Sequence, residues 1–509
     1  MHLKTFRAEN FRRLKNVRVD LEEDQTVFVG ANNSGKTSGT HLFRRFLGPQ
    51  RGDFQIYDFT ADCWTSFEAF DLDQGDPDLE LPRIVLDLWF DVDVANLHRV
   101  TALLPDLDWD GEPVGVRLSY QPKDGRQLIA NYTEAREQAQ LPSETASTPY
   151  LPWPQTLVDY LTKKLTSEYD IAYYVLDRRH CDEDLLPDPA QELSQLNAGK
   201  STGAKVIDSL LRVDFLDAQR HLTDVDSSRS RGEDLSRRLG QYYSRHLQQP
   251  ADDIELLEAV AESEGRLNTH FDKVFAPILD RLGEVGYPGV THPELVVRAT
   301  VDAYDILSSK GQVFYNVPGP AAGSGTAALQ LPDQYNGLGF KNLIYMVVEM
   351  VDLREAWASI ETDRPPVHLV MVEEPESHLH AQLQQVFIDK IRAVLPEDDA
   401  GFLTQLVVTT HSPHIVYESD FRPIRYFARV GDPGSLQLSE VRNLSLFYDQ
   451  EEETTRTFLQ QYIKLTHCDL FFADGAVLVE GNVERLLLPL VIDREVPQLR
   501  SCHLTILEV

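Results

Sequence analysis

The chain has 509 residues, 42% of them hydrophobic and 25% charged, enough apolar material for two or three domains with cores of their own. Its 81 Asp and Glu outweigh 48 Lys and Arg, and the resulting net charge of −33 excludes a surface that attracts nucleic acid as a whole; DNA contact has to use a local basic patch or metal ions. Four scattered cysteines form no disulfide framework, and no stretch approaches the run of about 20 apolar residues that spans a bilayer, so the expectation is a soluble cytoplasmic protein with no membrane partner.

Leu3 to Phe11 and Leu14 to Leu21 read as strands. In the second, Val17, Val19 and Leu21 alternate with Asn16, Arg18 and Asp20, as on a half-buried antiparallel strand. Thr26 to Val29 is a short β-branched run that reads as a buried strand. It leads into Gly30-Ala31-Asn32-Asn33-Ser34-Gly35-Lys36-Thr37, which fits the phosphate-loop pattern G-x-x-x-x-G-K-[ST] without a mismatch. From Thr40 to Leu47 the pattern turns helical, with Leu42, Phe43, Phe46 and Leu47 on one side. The glycines let the backbone wrap closely, so N–H groups from Gly30, Asn32, Asn33, Ser34 and Gly35 point at phosphate oxygens beside a positive helix end. Lys36 would reach the β- and γ-phosphates and the Thr37 hydroxyl would bind Mg²⁺, so a nucleoside triphosphate is the expected ligand.

Residues 48–82, rich in Asp, Gly, Gln and Pro, read as loops with short helices, and Gln55 and Asp58 as surface-loop residues with a second reading as approaches to the nucleotide. Further strands are expected at Arg83 to Val92, Val114 to Tyr120, Gln127 to Tyr132 and Ile171 to Leu176, and residues 136–155 read as a loop. Lys205 to Phe215 is an apolar run. Ser230 to Gly283 reads as two charged helices, either a dimerisation hairpin or a cover packed on its own domain. Arg220, Arg229, Arg231, Arg237 and Arg238 form the densest basic cluster, read as solvated helix charge or as a DNA patch. Strands are expected again at Leu295 to Leu307 and Gln312 to Val317.

A small-residue loop from Leu331 to Gly339, containing Asn336 and Gly337, opens a helix at Leu343 to Trp357 and can aim N–H groups at a phosphate. Val367 to Val372 is an apolar strand ending on Glu373-Glu374-Pro375-Glu376, and a helix is expected from Glu376. Adjacent carboxylates at the end of a buried strand are costly unless a cation or hydrogen bonds offset them. Beside a phosphate loop, Glu373 would hold the Mg²⁺ shell and Glu374 would orient or deprotonate the attacking water. Gln405 to Thr410 is another buried strand and delivers His411, which can donate to the γ-phosphate. The pairs His378/His380 and His411/His414 also allow a zinc reading, without further ligands at customary spacing.

These blocks, in this order, resemble the split ATPase head of the SMC/RecF branch of ABC ATPases. Gly30 to Thr37 matches Walker A, Asn336 to Gly339 sits at the signature loop, Glu373 and Glu374 match Walker B and the catalytic glutamate, and His411 matches the switch histidine. The signature departs from the family, with Asn336-Gly337-Leu338-Gly339 where a serine-glycine-glycine core stands. The wording G-x-N-x-S-G-K-[ST], E-E-P-E-x-H-L-H and T-H-S-P is similar to that of the overcoming-lysogenization-defect (OLD) nucleases, which include the nuclease subunit of Gabija defence systems. Near the C-terminus, Ala476 to Val479 ending in Glu480-Gly481-Asn482-Val483-Glu484 resembles the opening of a Toprim domain, in which Glu480 and Glu484 would be metal ligands for phosphodiester cleavage. A Toprim site needs a further Asp-rich strand beyond Val509, so the 509-residue chain is expected to hydrolyse ATP without cutting DNA.

The resemblance implies an α/β fold, an ABC-type ATPase head of mixed sheet and antiparallel β subdomain, with an inserted helical segment and the start of a Toprim domain. The expected divisions are 1–215, 216–290, 291–465 and 466–509. It also implies ATP and Mg²⁺ as cofactors, with Mn²⁺ at the Toprim site, DNA as substrate, a homodimer or higher even oligomer, a helicase-like defence partner, and a role against phage. The alternative is a RecF-like DNA-gated ATPase without nuclease activity.

Overall fold

The computed structural model describes residues 1–70, 75–106, 108–145, 151–196, 200–217, 258–270, 273, 314–316, 330–332, 338–377, 379, 381–394, 400–419, 421–431, 436–446 and 468–508. The chain divides into two compact units, Met1–Ala218 with Trp357–Val509, and Gln219–Ala356.

The first unit holds two large sheets. In one, β1 (His2–Phe11), β2 (Leu14–Asp20), β4 (Ile84–Asp91), β5 (Val114–Pro122) and β6 (Tyr169–Leu176) pair antiparallel in the order β2-β1-β4-β5-β6. The other runs β13-β12-β3-β11-β10-β7, made of β3 (Gln25–Val29), β7 (Leu211–Leu216), β10 (Val367–Glu373), β11 (Leu403–Thr410), β12 (Ile424–Val430) and β13 (Leu438–Asn443). Its neighbours are parallel except β12 and β13, so an antiparallel edge strand closes a parallel core. All seven residues of β10 are buried, as expected of a parallel strand covered on both faces.

Helices α1 (Lys36–Phe46), α2 (Ala61–Ala69) and α3 (Pro77–Glu80) lie between β3 and β4. Helices α4 (Gly125–Thr145) and α5 (Leu157–Glu168) join β5 to β6, and α6 (Lys200–Leu210) leads into β7. Aromatic rings tie the two sheets to α1: Phe6 of β1 meets Phe43 edge-on at 5.0 Å and Phe28 of β3 at 6.4 Å, and Phe28 meets Phe427 of β12 at 4.9 Å. Such contacts add to the burial of these fully enclosed rings. Polar side chains stitch the same seam. Buried Gln405 of β11 accepts from the Leu3 N–H at 2.8 Å and donates to the carbonyls of Leu3 and Glu22 at 3.1 and 3.0 Å. Buried Arg425 of β12 donates to the Asp20 carbonyl at 2.5 Å and to Glu22 Oε1 at 2.6 Å.

The expected strand at Gln127 to Tyr132 is instead part of α4, which also takes in residues 136–145 of the expected loop. Leu128 and Tyr132, four residues apart, are the buried pair, so the period is helical. Asp124 starts the helix by accepting from the Gln127 N–H at 2.9 Å. The helix expected from Glu376 begins, among the described residues, at α8 (Ala381–Val394), after α7 (Leu338–Ala358) and β10. Residues 374–377 form a turn, in which the Ser377 N–H donates to the Glu374 carbonyl at 3.0 Å.

After β11 comes α9 (Pro413–Glu418). At the C-terminal end, β14 (Gly475–Val479), α10 (Asn482–Glu495) and β15 (Leu504–Glu508) form a parallel βαβ unit. It is anchored to the parallel sheet: Phe471 packs on Phe421 and Tyr426, and Asp474 pairs with Arg429 of β12 while accepting from the His503 N–H at 2.9 Å.

In the second unit, β8 (Phe314–Asn316) and β9 (Gln330–Pro332) pair antiparallel, and residues 258–270 are helical. The strand expected at Gln312 to Val317 corresponds to β8. The expected strand at Leu295 to Leu307, the arginine cluster and most of Ser230 to Gly283 lie outside the described residues.

Candidate functional site

Strands β3, β11 and β10 are adjacent and parallel, so their carboxyl ends lie side by side, about 5 Å from strand to strand. The phosphate loop leaves β3, His411 leaves β11, and Glu373 and Glu374 end β10. Open parallel sheets bind ligands at this edge.

The loop conformation depends on its glycines. Gly30 has φ 155° and Gly35 has φ 102°, and a Cβ would meet the Phe427 carbonyl oxygen at the first and the Ser439 hydroxyl at the second. Ser439 of β13 supports the loop by donating to the Ser34 carbonyl at 2.7 Å. Asn32 and Asn33 are exposed, the latter with φ 63°. Ser34 is buried, and its hydroxyl has no hydrogen-bond partner among the described residues, as suits a group aimed at a phosphate oxygen.

Lys36 is 3% exposed. Its ammonium donates to the carbonyls of Gly30 and Ala31 at 2.6 and 3.0 Å and lies 3.4 Å from His411 Nδ1. Burial pulls its pKa down to about 8, against the pull of Glu374 and Glu376 in the other direction. The native chain therefore holds fewer protons than the unfolded one between about pH 8 and 10.5, and stability rises with pH across that window. An arriving phosphate favours the charged form. ATP binding at pH 8.5 is thus expected to take up protons, read from calorimetric heats in buffers of different ionisation enthalpy, and Lys36→Arg should remove the uptake.

Thr37 is exposed at the start of α1. One turn on, the Thr40 hydroxyl donates to Glu373 Oε1, and Thr40 and Glu373 are both buried. Burial raises the Glu373 pKa, while Thr40 and Arg44 hold it down. The exposed Thr37 hydroxyl and the Glu373 carboxylate are hard-oxygen donors of the kind that fit Mg²⁺. Glu374 has φ 42° and donates its N–H to the Thr409 carbonyl at 2.9 Å. Its Oε1 lies 3.5 Å from His411 Nε2. Burial, then the Lys36 charge, lowers the His411 pKa to about 4, so the ring is neutral at pH 7 and can donate from one nitrogen.

Four residues at this site escaped the sequence reading. Thr40 orients Glu373 and was findable, since it sits three and four residues after Thr37 and Lys36 on one helix face. Ser439, and Gln384 of α8, whose Oε1 accepts from the Ser412 hydroxyl at 2.6 Å, carry no local signal. Glu376, read as a helix start, turns back toward His411.

Asp58 is not a surface-loop residue. It is buried and spent on Arg12, at 2.9 Å, and on Arg45, at 3.6 Å. Gln55 is exposed. Asn336 and Gly337 fall outside the described residues, as do His378 and His380; Gly339 lies in the first turn of α7, in the second unit. No group of three or more His, Cys, Asp or Glu suited to a metal occurs among the described residues. Glu480 follows β14 and Glu484 sits in the first turn of α10, both exposed, and this pair alone supplies only part of a metal shell. No described helix is long and apolar enough to cross a membrane.

Residues 471–509 match the family described as overcoming lysogenization defect protein-like, TOPRIM domain. Endonuclease GajA of Bacillus cereus (strain HuB5-5) is 29% identical over 182 residues, 32% of this chain and 26% of that protein, so the match spans about a quarter of the relative's length. Among solved structures, the SMC head domain from Thermotoga maritima is similar at 12% identity, covering 87% of this chain and 99% of that one, with a TM-score of 0.33. The recombination mediator protein RecF-ATP in the RecFOR pathway is similar at 11% identity, covering 81% and 94%, with a TM-score of 0.28. The family model for the AAA ATPase domain matches residues 1–416, and the chain belongs to that family.

Proposed function

We propose that this chain is an ATP-hydrolysing, metal-dependent DNA endonuclease of the OLD type, acting against phage in a reducing cytoplasm. The observation that carries the ATPase half is the convergence of the phosphate loop, Glu373, Glu374 and His411 on the ends of three neighbouring parallel strands. The nuclease half is supported by the TOPRIM match and by the endonuclease similar to part of the chain.

Lys36 holds the β- and γ-phosphates, and the loop N–H groups of Asn32 to Gly35 cradle them. Thr37 and Glu373 hold Mg²⁺, which when bound neutralises charge between the phosphates. Glu374, kept outside the Thr40 hydrogen bond that occupies Glu373, orients the attacking water and takes its proton. Neutral His411 donates to the γ-phosphate. Gly339, with Asn336 and Gly337, serves as the signature loop. ABC-type sites are completed by a second head, so a homodimer or larger even assembly follows. Residues 466–509 act as the nuclease part, with Glu480 and Glu484 contributing to a Mg²⁺ or Mn²⁺ site against DNA. A helicase-like defence partner fits the same reading.

A second reading is a RecF-like ATPase whose C-terminal carboxylates, the exposed Glu480 and Glu484, are structural. One experiment separates them: ATP turnover, plasmid nicking with Mg²⁺ or Mn²⁺, and light scattering on the full-length gene product and its Glu480→Ala variant. Metal-dependent nicking by an ATP-bound dimer, lost in Glu480→Ala, is the expected result. Nicking that survives the substitution would place the catalytic carboxylates elsewhere.

A further inference from the structure

We propose that Glu376 is a positioning residue for ATP hydrolysis, whose carboxylate clamps the His411 backbone and so sets the imidazole between Lys36 and Glu374. The proposal rests on the ATP-site reading above and assigns that site a further residue.

The clamp is built from the turn after β10. Glu374 leaves the strand at φ 42° with its N–H on the Thr409 carbonyl, so the chain doubles back over the end of β11. The Ser377 N–H then reaches the Glu374 carbonyl at 3.0 Å and the Leu379 N–H the Glu376 carbonyl at 2.9 Å, which fixes the Glu376 backbone. Its Oε1 accepts the His411 N–H at 2.5 Å. Its Oε2 is sealed from solvent without a hydrogen-bond partner among the described residues. Burial pushes the Glu376 pKa up, while the His411 N–H, its own backbone N–H and the Thr410 hydroxyl hold it down.

The next peptide along, at Ser412, is held as well. Ser412 donates its hydroxyl to Gln384 Oε1 of α8 at 2.6 Å and its N–H to the Thr410 hydroxyl at 2.9 Å, while capping α9 through the N–H groups of His414 and Ile415. With its backbone fixed from two elements, the His411 ring stands 3.4 Å from Lys36 and 3.5 Å from Glu374. A carboxylate with one oxygen sealed from solvent is costly to keep, and hydrogen bonds from the His411 N–H and the Thr410 hydroxyl only partly offset that cost.

The test compares Glu376→Met, which fills the space without an acceptor, with Glu376→Gln, which keeps the acceptor, using Lys36→Ala and Glu374→Gln as references for lost binding and lost turnover. Displacing a catalytic group by about 1 Å costs roughly a hundredfold in rate, so Glu376→Met should bind ATP within about threefold of wild type while kcat falls roughly a hundredfold. Glu376→Gln should recover most of that rate, and Gln384→Ala, which frees Ser412 from the other side, should lower kcat with KM unchanged. Wild-type turnover in both Glu376→Met and Gln384→Ala would overturn the proposal, as would a Gln variant as slow as the Met variant. A wild-type chain that does not bind ATP, or binds it equally well as Lys36→Ala, sinks the ATP-site reading and this proposal with it; the other outcomes sink the proposal alone.

Discussion

Lys36→Ala is expected to abolish tight ATP binding. The ammonium is the cation placed by the loop itself, and the residue is held 3% exposed between the loop carbonyls and His411. A charge-assisted contact of this kind is worth on the order of 1.5–3 kcal/mol, or roughly ten- to a hundredfold in affinity. Part of the effect is hidden in the free protein, because charged Lys36 is already strained by burial, which pulls its pKa down to about 8. Removing it relieves that cost in the free chain while denying the phosphates their cation in the complex, so thermal stability near pH 7 should hold or rise as affinity falls. A nucleotide titration that gave unchanged affinity would remove Lys36 from the site.

Glu374→Gln is expected to show the opposite split, with affinity retained and hydrolysis slowed by about a hundred- to ten-thousandfold, the range for loss of a general base. Glu374 suits this role better than its neighbour. Glu373 is buried and bonded to Thr40, whereas Glu374 is half-buried, with Oε1 facing the His411 ring. The amide keeps the size and one acceptor but cannot take a proton. Equal single-turnover rates in variant and wild type would assign the base elsewhere.

Much of this site was legible because its chemistry lies in short, contiguous stretches at strand ends. The phosphate loop follows an apolar β-branched strand, and Glu373 and His411 end two more, so pattern and position coincide. Where side chains act across the chain, no local pattern marks them. Gln405 looks like an ordinary strand residue, yet its amide joins β11 to β1 and to Glu22. Glu376 reads as a helix start, since an acidic residue after proline is a good first-turn signal, but its carboxylate is drawn to an N–H on the neighbouring strand end. Gln127 to Tyr132 is a six-residue stretch, too short a window to separate a period of two from one of 3.6. Asp58 shows the reverse problem. Its polar surroundings suggested a loop, and only the fold reveals Arg12 and Arg45 converging on it.

The place of β3 in its sheet has a consequence for how the protein is made. Both of its neighbours, β11 and β12, come from the far end of the chain, and Gln405 meets Leu3 across 402 residues. The phosphate loop is among the first segments to leave the ribosome, but its strand has nothing to pair with until residues near Thr410 have followed. At roughly 5–20 residues per second, that wait is about 20 to 80 seconds. During it, Val27, Phe28 and Val29 are an unpaired apolar strand, a liability for aggregation in a nascent chain. The antiparallel sheet, whose strands all lie within the first 176 residues, can assemble during this interval and offer Phe6 as a docking surface for Phe28 and Phe43. Nucleotide binding is therefore a late event in biogenesis, and a chain interrupted before β11 carries an intact phosphate-loop sequence but no site.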